Sequence, residues 1–270
     1  MDSTTIAQRW RWLLQVCRGE FDLLAEWITR RDANLVWSSV VAICVGCGLY
    51  GFTLGMWRSP LMGAYVSIKL PLAIFGVVGI NGMLNGVLAQ LLGTGLGFRQ
   101  TLMMILASFA LFALIVGSVA PVSFFASLNL PGAEAADAGQ WHGMVLVFHT
   151  GVIAFAGLIC NLKLLRLMLQ YVPNRRSAVQ TFVGWTLGNL LVGAQVFYVC
   201  RPFFGDPDLE VEFFRRDALS GNFYYGVLGS AEAATGLGAP VLIFLALLAG
   251  LFAVVQLRRI IRELLTDDRL

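Results

Sequence analysis

The chain has 270 residues, 58% of them hydrophobic and only 13% charged, against roughly 25% charged in an ordinary soluble domain. Apolar runs of membrane-crossing length, about 20 residues, recur along it, which excludes a soluble fold and predicts an all-α, polytopic transmembrane helix bundle of about six spans. The net charge of +3 is too small to argue for nucleic acid, so the lipid bilayer is the partner that composition implies.

Residues 1–34 precede the first long apolar run and are rich in charge. Ile6, Trp10, Leu13, Cys17, Phe21, Leu24 and Ile28 recur at spacings of three and four, which predicts an amphipathic helix over 5–30. Arg9, Arg11, Arg18, Glu20, Asp22 and Glu26 fill its other faces. Two readings of this helix stay open: it lies in the membrane interface, or it packs on a protein partner or on the chain's own bundle. The apolar run that follows is too long for a signal-peptide core, so it is read as a retained first span.

Within 35–257, the spans are expected near 35–57, 70–93, 101–121, 143–165, 181–200 and 238–257. Residues 58–69 are read as an interfacial turn. Pro71 and Pro240 fall near the first turns of their spans, where a missing N–H costs little, and Pro121 is read as the end of the third. With a cytoplasmic N-terminus, fourteen of the nineteen Lys and Arg residues lie inside, as the positive-inside rule requires. The inside set includes Arg99, Lys163, Arg166, Arg175, Arg176 and the basic tail at 258–270. The outside set is Arg58, Lys69, Arg201, Arg215 and Arg216. Both termini are thus expected in the cytoplasm, with the bacterial inner membrane as the expected location.

Two outer segments stand out. Residues 128–142 read as a mildly acidic loop. Residues 201–236 are longer and carry a turn signal at Gly205-Asp206-Pro207-Asp208. Alternation over Leu209–Phe213 suggests a short strand or extended piece, and Asn222 is placed to cap a short helix starting at Phe223. The aromatic residues of this segment, Tyr224 among them, suggest that it rests at the membrane surface. Gln195, Tyr198 and Arg201 share one helical face. Arg201 is expected to pin the segment through Asp206, Asp208 or Glu210, or else to bind a lipid phosphate. Arg201, Asp206, Asp208, Arg215, Asn222 and Tyr224 are the candidate contact or structural residues here.

Inside the spans, Gly46-x-Gly48-x-x-Gly51 matches the dinucleotide-binding pattern by letter, but that pattern requires a strand–turn–helix context. In a span, glycines let helices approach closely, and Gly51, Gly55, Gly76, Gly79 and Gly82 suggest that spans one and two pack together. The polar residues at depth are Asn81, Asn85, His149, Asn161, Asn189 and Gln195. They suit interhelical hydrogen bonds. Asn81, Asn85, His149 and Asn189 are also the candidates for a polar path. Asp and Glu are absent from the six spans. Cys44-x-x-Cys47 is read as apolar packing, since a thiolate there would be desolvated. No nucleophile elbow, phosphate loop or metal-ligand spacing is present, so no enzyme activity, cofactor or metal is expected.

From Leu49 to Pro121 the runs LYGFTLGMW, KLPLAIFG, GTGLGFRQTL and SVAPVSFF resemble the Yip (Ypt-interacting protein) superfamily. The later stretch with Arg201-Pro202-Phe203, Gly205, Pro207, Phe213, Arg215 and Asn222-Phe223-Tyr224 is similar to a pattern in uncharacterised bacterial polytopic membrane proteins. The Yip resemblance implies a cytoplasmic N-terminus and a bundle of about five spans; a sixth span departs from it, and the GTPase-binding role is not carried over. Taken together, the sequence predicts a non-enzymatic membrane scaffold or adaptor that binds a protein partner or itself. The alternative is a channel or transporter for a small solute.

Overall fold

In the computed structural model, the described residues are 33–207, 209–225, and 238, 240, 241, 243 and 244. The amphipathic helix expected over 5–30, Asp208, most of the sixth span and the basic tail lie outside them. Helix α1 spans Ala33–Ala42 and continues through a π-helical turn, Ile43–Cys47, into α2, Gly48–Met56. Four long helices follow: α3 Pro60–Leu91, α4 Phe98–Asn129, α5 Ala138–Tyr171 and α6 Arg175–Val199. Counting α1–α2 as one, five helices among the described residues are long and apolar enough to cross a membrane. The chain is an all-helical polytopic membrane protein.

The second span corrects the expected bounds. Residues 60–69 are not an interfacial turn but the first turns of α3. Ser59 is its N-cap, with its hydroxyl accepting from the Met62 N–H at 3.1 Å, and Pro60 follows at a position where no N–H is needed. Pro71 therefore lies inside the helix. Pro121 likewise does not end the third span, because α4 runs through it to Asn129. No strand forms at Leu209–Phe213; that stretch lies against the bundle instead of pairing.

Close backbone approach ties the first span to its neighbours. A Cβ on Gly51 would lie 2.6 Å from the Val66 carbonyl oxygen, and one on Gly55 2.6 Å from that of Met62. One on Gly46 would lie 2.2 Å from the Ala113 oxygen in α4. The letters of the dinucleotide motif are thus packing glycines on two faces of one helix. Gly82 and Gly86 meet Leu102 and Phe98 of α4 rather than the first span, and Gly79 meets nothing, so the small-residue strip is shared between two partners.

Antiparallel connectivity brings alternate connectors to common ends. At one end, the Trp57 indole donates to the Pro131 carbonyl at 3.0 Å, and Arg58 donates to the carbonyl of Leu209 at 3.3 Å. At the other, the Gln100 amide donates to the Tyr171 hydroxyl at 2.9 Å. The segment after α6, residues 200–225, folds back over the first of these ends and is called the cap. Beneath it α3, α4, α5 and α6 form a ring, each packed on the next and α6 on α3.

Candidate functional site

The cap is joined to the bundle by polar contacts that the helices aim at it. Lys69 of α3 is 1% exposed. Its ammonium donates to the Pro202 carbonyl at 2.5 Å and lies 5.4, 5.5 and 5.9 Å from the ring centres of Phe203, Phe213 and Phe214. Among the described residues no carboxylate is ion-paired with it. An aromatic cage attracts a cation through the ring quadrupole, and more strongly where water is excluded. Sequence reasoning passed over Lys69 as an outer flanking charge. The signal available was a lysine directly before a long apolar run, together with a later segment rich in phenylalanine.

Arg201 is pinned by Asp217, an acid outside the expected set. Its guanidinium pairs with Asp217 at 3.2 Å, donates to the Tyr198 carbonyl at 2.9 Å and lies 3.8 Å from the centre of the Tyr198 ring. Asp206 serves the turn through its carbonyl, which accepts from the Leu209 N–H. Gly205 adopts φ +69° with Arg58 and Met62 packed where a side chain would project, which explains the glycine in this turn. Asn222 caps the short helix at Phe223, its side-chain oxygen accepting from the N–H groups of Tyr224 and Tyr225 at 3.0 and 3.1 Å. The Tyr224 hydroxyl donates to the Leu191 carbonyl at 3.2 Å, and Gln195 accepts from the Phe223 N–H at 3.2 Å. The face of α6 carrying Gln195, Tyr198 and Arg201 therefore holds the cap. Arg215 is half-buried and joins none of these pairs; its neighbour Arg216 reaches Glu212 at 3.5 Å.

The intramembrane candidates separate into two places. His149 of α5 is 3% exposed; its Nδ1 lies 2.9 Å from the Tyr50 hydroxyl of α2, and its Nε2 lies 3.4 Å from the Ser123 hydroxyl of α4. Its ring also packs on Phe148 and on Phe204 of the cap. A serine beside a histidine is the arrangement of an activated nucleophile, but Tyr50 and Ser123 are each 1% exposed, so the hydroxyl is buried in the bundle. The cluster ties three helices together, with a cap residue stacked against it.

The asparagines meet elsewhere. The Asn85 amide donates to the Asn189 side-chain oxygen at 3.4 Å, and the Trp185 indole donates to the Asn85 carbonyl at 3.0 Å. Asn81, one turn away, is fully buried and neither side-chain atom has a hydrogen-bond partner among the described residues. The four residues expected to line one path do not: His149 stands apart, and only Asn189 lines the intramembrane cavity inside the α3–α6 ring, whose volume is about 580 Å³.

Among the described residues no group of His, Cys, Asp and Glu is arranged to hold a metal ion. No family model, curated protein or solved structure matches this chain.

Proposed function

We propose that this membrane protein is a non-enzymatic scaffold or adaptor whose cap is the surface that a protein partner or a second copy contacts. The observation that carries this reading is the contrast between the cap's two sides. Its inner side is fixed by Lys69, Arg58, Gln195 and Tyr198. Its outer side displays Leu219 and Tyr225, which are 86 and 73% exposed. Large apolar side chains held on a rigid support are suited to recognition, since little ordering entropy is lost on binding. The cap faces outward from the bacterial inner membrane, and both termini lie in the cytoplasm; the end carrying Arg99, Arg166, Arg175 and Arg176 is the inside by its excess of positive charge.

The test is recovery of partners on purification of the full chain in mild detergent, with self-association read by mass photometry. Leu219→Ser and Tyr225→Ser combined should abolish stoichiometric co-purification or dimerisation while leaving membrane insertion intact. Unchanged recovery and unchanged mass would overturn the proposal.

A path for a small solute is the second reading, and the cavity inside the α3–α6 ring supports it. Proteoliposome flux reduced by Asn189→Ala would favour it; flux insensitive to that change would remove it.

A further inference from the structure

Most of the wall of the ring cavity is apolar, formed by residues such as Ile74, Phe109, Phe112 and Phe197. Its polar groups are Ser108, Asn161, Thr186 and Asn189, and no ionisable carboxylate, lysine, arginine or histidine lines it. Two of the four are already engaged with each other, because Thr186 donates to the Asn161 side-chain oxygen at 3.2 Å and the Asn161 amide donates to the Gly157 carbonyl at 2.8 Å. Asn189 accepts from Asn85 through its oxygen and lines the cavity, and its amide nitrogen donates to nothing among the described residues. The Ser108 hydroxyl is likewise without a partner among them, and it faces the same space from α4.

Depth and access fix the class of ligand. At 1.5 Å per helical residue, Asn189 lies about 20 Å from one end of α6 and about 15 Å from the other, well within the hydrocarbon layer. The wall between α5 and α6 carries Leu158 and Leu190, which are 59 and 64% exposed while also lining the cavity. Among the described residues, the cavity therefore opens sideways between α5 and α6. A charged head has no counter-ion there and would be desolvated. A neutral acceptor satisfies the Asn189 amide, and about 580 Å³ falls within the range of pockets that enclose a small organic ligand.

We propose that this cavity binds an uncharged, single-headed amphiphile that enters from the bilayer between α5 and α6. Its hydroxyl or carbonyl head accepts from the Asn189 amide and meets Ser108, and its apolar body lies along Phe109 and Phe112. This inference is independent of the cap's role.

The test uses the full chain in nanodiscs with a diazirine-bearing hexadecanol as probe, photolysis, and peptide mapping. Saturable labelling of residues 153–164 and 186–197, displaced by unlabelled hexadecanol but not by hexadecyl phosphate, is expected. Gly193→Phe or Gly157→Phe should cut that labelling more than tenfold; neither glycine has a heavy atom within 4 Å of an added Cβ, so the new side chain has room at its base, and circular dichroism in the nanodisc checks that each variant stays folded. Asn189→Leu should cut it several-fold. The proposal is overturned by labelling that does not saturate, by saturable labelling indifferent to both filling variants, by equal displacement by the phosphate, or by no labelling at all.

Discussion

Lys69 and Pro202 are 133 positions apart in the chain, yet the ammonium of one donates to the carbonyl of the other beneath the cap. A charge-assisted hydrogen bond contributes about 1.5–3 kcal/mol, and a desolvated cation–π contact about 2 kcal/mol. Against these stands the cost of taking an ammonium out of water, several kcal/mol. The net is modest for stability, but it is specific, because the carbonyl and all three rings that receive the charge belong to the cap.

The Arg201–Asp217 pair should restrain the far half of the cap. Asp217 is 59% exposed on its side chain, which limits such a pair to about 1 kcal/mol or less. Asp217→Asn should therefore raise trypsin cleavage after Arg215 and Arg216 up to about fivefold. Glu212→Gln should raise it less, because the Arg216 side chain it meets is 91% exposed. Equal effects of the two changes would contradict the assignment of Asp217 as the anchor.

Packing glycines predict an ordered pair of outcomes. Gly46→Ala forces a Cβ to 2.2 Å from the Ala113 carbonyl oxygen, and overpacking of this kind costs about 1–3 kcal/mol or more. Gly79→Ala meets nothing within 4 Å and should stabilise α3 by up to about 1 kcal/mol through helix propensity. Thermal unfolding in detergent reads both, and a Gly46→Ala protein as stable as its parent would refute the close approach of the π-helical turn to α4.

At the buried histidine, Tyr50→Phe should cost more than Ser123→Ala, since the tyrosine contact is 2.9 Å and the serine contact 3.4 Å. Hydrogen bonds between membrane helices average about 0.6 kcal/mol and reach about 1.7. The tyrosine change should fall at the upper end of that range in a denaturation series, and the reverse order would show that Ser123 is the principal partner.

The asparagines should likewise divide. Asn85→Leu leaves Asn189 without its donor and should destabilise by about 0.5–1.5 kcal/mol. Asn81→Leu removes a buried amide that has no partner among the described residues, and stability should hold or rise. A larger loss at Asn81 than at Asn85 would mean that the two have been ranked wrongly.

Hydropathy made the helices legible because long apolar runs leave the backbone no alternative in lipid. It failed at Ser59–Lys69, where polar residues cap a helix and reach a distant carbonyl rather than ending a span. Asn222 was legible as a cap because capping is local in sequence. Asp217 was not, because the choice among acids near Arg201 depends on how residues 202–216 fold back. Lys69 was hidden for the same reason: its partners lie more than 130 positions away and offer a carbonyl and three rings, not an opposite charge. His149 was legible as a hydrogen-bonding residue, but periodicity within α5 says nothing about which neighbouring helices it meets.

The measurement that bears most directly on the cap as a fixed platform is amide hydrogen exchange over residues 209–225 in nanodiscs, for the parent chain and for Lys69→Met. Slow exchange at the Phe223, Tyr224 and Tyr225 amides, accelerated about tenfold or more by the substitution while α3–α6 stay protected, is the expected result. Exchange of those amides at unfolded-chain rates in the parent protein would contradict it.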